Sequence, residues 1–240
     1  MNKALVSLAM AVVAVLTLVG CSPPSPTSAP SSTATAAAAA TDAPTPTPTP
    51  GKPTEADLVV TPDGIAPLVV GEPIPDESAD TAIAIWNPSF CVNSTAGIKP
   101  GDPTAGAWTA NYPEDATGYS VSLPFSVVVP THVKADPISQ IMVSSANLST
   151  SQGIRVGSTT AQLKAAYPSL VTGPHSTISD IYSVDGTTGT LVFEVANGLT
   201  PHYWSTKQIG AILWMRIVPL GSEIYAIAGT DGIALCDTGE

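Results

Sequence analysis

The sequence predicts an α+β protein: two tandem repeats, each a short helix packed on a small antiparallel sheet, carried on a disordered linker. Three observations lead there. A Thr-x-x-Gly-Ile pattern occurs twice, at residues 61–65 and 150–154, and each copy runs on to a glycine (Gly71, Gly157) and a helix candidate. Charged residues are sparse while Thr, Ser, Val and Ile are plentiful, as in strand-rich chains. A Pro/Thr/Ala-rich stretch, residues 22–56, sets this region apart from the N-terminus.

The N-terminus reads as a targeting segment. Lys3 gives a positive start, residues 4–19 are apolar apart from Ser7 and Thr17, and Leu18-Val19-Gly20-Cys21 follows. The apolar run is shorter than the roughly 20 residues that span a bilayer, and no Lys or Arg anchor follows it closely. Residues 1–21 resemble the signal peptides of bacterial lipoproteins. The resemblance implies cleavage before Cys21, lipidation of its thiol, and tethering at the extracytoplasmic face of the cell membrane. A diacylglyceryl group supplies the two acyl chains that stable anchoring requires.

The linker holds the alternation Pro44-Thr45-Pro46-Thr47-Pro48-Thr49-Pro50 and a run of alanines at 36–40. It cannot bury a core, so it is expected to stay disordered or extended as polyproline II. It reads as a stalk, and its Thr-Pro tract offers possible O-glycosylation acceptors.

Beyond the linker the two repeats are expected at 57–149 and 150–240. In the second, Ser158 can cap a helix through Gln162, Leu163, Ala166 and Tyr167, which Pro168 stops. Strands at 181–184 and 190–195 flank the turn-rich Asp185-Gly186-Thr187-Thr188-Gly189, a hairpin signal. Further strands are expected at 211–218 and 223–228. In the first repeat, Pro75 and Asp76 start a helix through Ala79, Ala82, Ile83 and Trp86. Strands follow at 107–112, 119–129 and 140–145, with Pro124 marking an edge or a bulge.

The run GIRVGSTTAQLKAAYPSL with the following IYSV and LVFEV resembles a motif of small secreted actinobacterial proteins. More distantly it is similar to the repeat of the small outer-membrane-assembly lipoproteins and of the β-lactamase inhibitor protein. The resemblance covers about 65 residues of the second half. In the first half Glu72-Pro73-Ile74-Pro75 stands where the family has its Gly-Ser-Thr step. The likeness implies a protein-interaction or inhibitor-type module rather than an enzyme.

Charge narrows the partners. Eight Lys and Arg against 19 Asp and Glu leave a net −11, which excludes nucleic acid and direct attraction to anionic lipid. With Cys21 assigned to lipid, Cys91 and Cys236 form an even pair in an exported chain and are expected to be disulfide-bonded.

Signals for chemistry are weak. His132, His175 and His202 lack metal-ligand spacing, and neither Gly-x-Ser-x-Gly nor Ser-x-x-Lys occurs. Asp76, Glu77 and Asp80 suit a helix start, and Glu114-Asp115 a solvated loop. No metal, cofactor or catalytic residue is assigned. The aromatic residues are more informative. Trp108 and Tyr112 share a strand face, and Tyr203-Trp204 lies in an irregular segment, so these four are the candidate binding surface for an envelope protein or a glycan. A non-catalytic binding module is the expected function, ahead of a wall-directed or extracellular hydrolase and of a small-molecule-binding lipoprotein.

Overall fold

The computed structural model describes residues 51–95, 97–113, 123–229 and 236. All of them fall in one compact unit, Pro48–Glu240. Cys21, most of the linker and Glu114-Asp115 lie outside the described residues.

In chain order the elements are a 3-10 turn η1 (Glu55–Asp57), then β1 (Val59–Thr61), β2 (Gly64–Ile65), β3 (Leu68–Val69), β4 (Ala84–Asn87), β5 (Ala107–Ala110), β6 (Phe125–Val128), β7 (Gln140–Val143) and β8 (Ser149–Thr150). One helix, α1 (Thr160–Ala166), precedes β9 (Val171–His175), β10 (Ser179–Asp185), β11 (Gly189–Ala196) and β12 (Ile212–Pro219). Eight strands form one antiparallel sheet in the order β4-β5-β6-β7-β12-β11-β10-β9. It consists of two four-stranded meanders joined through their last strands, with Met215 opposite Val143 and Ile217 opposite Ile141. A smaller sheet, β3-β2-β1-β8, holds the parallel pair β1–β8.

This corrects the α+β expectation. The protein is mostly β, with α1 as the single α-helix among the described residues, and the helix-on-sheet unit does not recur. The helix expected through Ala79 and Trp86 is absent because its sequence works against it. Pro73 and Pro75 donate no backbone hydrogen bond, and Ile83, Ile85 and Trp86 favour the extended chain. Thr81 and Ala82 bond back to Ser78 in a tight turn, and the Asn111 amide donates to the carbonyls of Ala79 and Ala82, after which β4 begins. What recurs is the turn. In the first copy the Thr61 hydroxyl accepts from Gly64 N, and in the second the Thr150 hydroxyl accepts from Ile154 N. The two motifs sit side by side, since Val60 pairs with Thr150 across the parallel ladder. Gly71 and Gly157 both take positive φ, and their amides donate to Ile138 and Ile212, near the starts of β7 and β12.

The helix α1 starts one residue later than the Ser158 cap implies. Thr159 is the N-cap and forms a capping box with Gln162. Leu163 and the C-cap Tyr167 bury its inner side against the main core, where the Tyr167 and Phe193 rings lie 5.5 Å apart. Among the described residues no helix is long and apolar enough to cross a membrane.

The large sheet is covered on both faces, so β11 is buried at every position. Leu191, Phe193 and Val195 face the main core with Ile212, Met215 and Ile217 of β12. Val192, Glu194 and Ala196 occupy the outer face. A register shift between Glu194 and Val195 leaves Leu213 without an opposite number, and both Leu213 and Trp214 join the outer cluster. Residues 222–229 lie over that face as irregular chain, where a strand at 223–228 is expected from sequence. Cys236 is bonded to Cys91, closing a loop over 145 residues of sequence separation.

Candidate functional site

The 197–211 connection between β11 and β12 is held at its neck by Ala196 N to Ala211 O (3.0 Å) and Gly210 N to Ala196 O (2.8 Å). Side chains then dock it onto the β9–β10 turn. Asn197 is buried; its amide donates to Ser176 O (3.1 Å) and Asp180 Oδ1 (3.3 Å), and its carbonyl accepts from Leu199 N. The Thr200 hydroxyl donates to Thr177 O at 2.8 Å. Further along, Gln208 Oε1 accepts from both the amide and the hydroxyl of Ser205. These bonds fix a loop that carries three exposed apolar side chains: Leu199 (66 % exposed), Tyr203 (48 %) and Ile209 (45 %).

Trp204 is the anchor of this loop. Its Nε1 donates to Ile178 O at 2.6 Å, and its ring packs on the outer-face cluster of Met142, Leu213 and Trp214. Tyr203 stands edge-on to it, ring centres 4.9 Å apart at 75°. The sequence pairs these residues as equals; in the structure Trp204 supports and Tyr203 is presented. Beside them an open depression of about 380 Å³ is lined by His175, Ser176, Thr177, Leu199 and Thr200.

Trp108 and Tyr112 are elsewhere. Both pack against the main core, on the opposite face of the large sheet from Trp204. Trp108 contacts Trp86 of β4 (5.5 Å between ring centres), and Trp86 in turn contacts His132 (5.6 Å). A Cβ at Gly106 would fall 2.1 Å from Trp86 Cζ2, so glycine there makes room for the Trp86 ring. Tyr112 donates its hydroxyl to Pro53 O at 3.0 Å and lies 4.9 Å below the Lys52 ammonium. Burial, then the nearby charges of Glu55, Asp57 and Glu77, raise its pKa above the usual phenol value. Tyr112 thus seats the chain at Lys52 and Pro53 while Trp108 packs on Trp86, and the four candidates do not form one platform.

Charged groups that sequence reasoning passed over prove central. Glu194 is fully buried, and its carboxylate accepts from Ser179 Oγ (2.6 Å), Trp214 Nε1 (2.9 Å), Ile227 N (3.0 Å) and Ala228 N (2.8 Å). Arg216, 2 % exposed, donates from Nη2 to Tyr225 O, and burial lowers its pKa while the Glu194 charge opposes the shift. Asp63 Oδ1 takes the amides of Thr187, Thr188 and Gly189 and the Thr188 hydroxyl, tying the β10–β11 turn to the β1–β2 turn. The signal for the buried pair was a lone charge within each of two apolar runs, LVFEVA and ILWMRIV.

Of the acidic cluster at 76–80, Asp76 pairs with Lys134 at 2.7 Å, and that bond lowers its pKa. Among the described residues no three His, Cys, Asp or Glu side chains are grouped to hold a metal ion. No protein family, no curated protein and no solved structure was found to match the chain.

Proposed function

We propose that the chain is a lipid-tethered, extracytoplasmic binding module that engages an envelope protein through the 197–210 loop. The observation that carries this reading is the presentation of Leu199 and Tyr203 on a loop fixed by side-chain hydrogen bonds, next to the depression lined by His175 and Thr177. Exposed apolar side chains grouped on one ordered loop mark interaction sites, and aromatic anchors such as tyrosine dominate protein interfaces. A fixed loop also loses little conformational entropy on binding. The lipoprotein-type N-terminus ending at Cys21 and the Pro/Thr/Ala-rich composition of residues 22–56 support the tethered part of this reading.

Two measurements test the reading. Radiolabelled palmitate incorporates into the parent and not into a Cys21→Ser variant if the anchor is right. Affinity capture of the parent from membranes, against Tyr203→Ser, yields an envelope protein that the variant loses. Tyr203 is the right position for this control, because removing Trp204 would disturb the outer cluster as well. Capture of wall glycan by both forms assigns the ligand to a different chemistry and sinks the loop as the contact surface.

A further inference from the structure

We propose that the outer face of β10–β12 is a receptor groove for an extended peptide with small aliphatic side chains, which residues 224–228 occupy in cis. The contacts are those of a bound peptide. Glu194 takes the main-chain amides of Ile227 and Ala228, and Arg216 donates to the main-chain carbonyl of Tyr225. Ile224 and Ala226 pack beside Ile181, Val192 and Val218, while Ile227 and Ala228 pack beside Leu213 and Trp214. The segment adds no strand to the sheet; polar side chains on the sheet face read its backbone.

Charged groups are costly to bury even when hydrogen-bonded. Here the closed face keeps a glutamate at 0 % exposure and an arginine at 2 %, and Arg216 Nε has no hydrogen-bond partner. When the segment lifts, Glu194, Arg216 and this unmet donor regain water, which counts against the loss of the Glu194 bonds to Ile227 N and Ala228 N and the exposure of the apolar residues beneath.

The Cys91–Cys236 bond is the latch, since it ties the chain seven residues beyond Gly229 to the first half of the protein. A dithiol reductant releases it. One thiolate attacks a cystine sulfur to give a mixed disulfide and one protein thiolate, which takes up a proton. The second thiol resolves the mixed disulfide, so two cysteine thiols form and the reductant leaves as its own disulfide. Release also frees the Tyr203 side, because Gly229 passes close beneath it: a Cβ there would lie 2.8 Å from the Tyr203 hydroxyl.

The test uses a fluorescent peptide with the sequence of residues 221–229 and the full chain in three forms: oxidised, reduced with dithiothreitol, and reduced Ile227→Asp, whose segment is repelled by Glu194. Anisotropy is expected to show saturable binding to the reduced variant, none to the oxidised parent, and a loss of about tenfold or more when the peptide amides equivalent to Ile227 and Ala228 are methylated. Equal binding of the methylated peptide, or no binding while β11 amides stay protected from exchange, overturns the proposal. Should Ile227→Asp fail to fold, hydrogen exchange on the parent decides. Reduction should then speed the Ile227 and Ala228 amides about tenfold or more with β11 unchanged. If these amides and β11 exchange together in both states, the segment is core rather than ligand.

Discussion

Glutamate 194 offers the sharpest test of the packing. In Glu194→Gln one carboxylate oxygen becomes an NH2 group. Oε1 faces Ser179 Oγ and Ala228 N, and Oε2 faces Trp214 Nε1 and Ile227 N. Either amide orientation sets donors against donors and leaves Arg216 without its neighbouring charge. Removing one partner of a buried charged network costs about 3–5 kcal/mol. For a domain of this size that is a fall in Tm of about 10 °C. Urea unfolding of the oxidised protein measures it directly. The double variant Glu194→Met/Arg216→Met is informative in the other direction. A generic buried pair tolerates that exchange, but here it strands the Trp214, Ile227 and Ala228 donors, so it should remain at least about 2 kcal/mol below the parent. Stability of Glu194→Gln within about 1 kcal/mol of the parent would refute the hydrogen-bond network centred on Glu194.

Three further outcomes are expected. Replacing Cys91 and Cys236 by Ser removes a cross-link between residues 145 apart and should cost up to about 5 kcal/mol by chain entropy, read as a lower urea midpoint. Asp63→Asn weakens the tie between two turns, by about 1–2 kcal/mol given the partial exposure of the site. The sign with pH follows from the Thr188 amide, the largest of the hydrogen-bond causes that lower the Asp63 pKa below 3.8. Its stabilisation is complete at neutral pH and is lost as pH falls below about 4 through the folded pKa, so the parent–variant gap should close in acid. Gly106→Ala drives a Cβ into the Trp86 ring and should cost about 1–3 kcal/mol, with altered near-UV dichroism from the Trp86–Trp108 pair.

The strands of the second half were legible because their signals agree. Alternation, β-branched residues and the Asp185–Gly189 turn all point to the β10–β11 hairpin, and Ser158, read as the cap, marks the helix start to within one residue of the N-cap Thr159. The first half misled through Ala79, Ala82 and Trp86, whose spacing fits a helix although Pro73, Pro75 and Ile85 favour extended chain. Residues 223–228 carry strand-like composition, but the face they meet offers Glu194 and Arg216 rather than a free strand edge, a tertiary fact no local pattern contains. For the same reason Trp108 and Tyr112 read as a surface. Both pack against the main core, but β5 ends at Ala110 and Tyr112 lies beyond it, and which face is covered depends on β1–β3 and the entering chain. The Cys91–Cys236 pairing was legible once Cys21 was set aside as a lipid-attachment residue, which leaves a single pair.

Whether the 197–210 loop is the contact surface is decided by a photo-crosslinking residue at position 203 of the full-length protein in living cells, with position 133 as the comparison. Val133 is as exposed as Tyr203 (53 % against 48 %) but lies in the first half, between β6 and β7. One discrete envelope-protein adduct is expected from position 203 and none from position 133. Equal labelling from both positions, or no adduct from position 203, would contradict it.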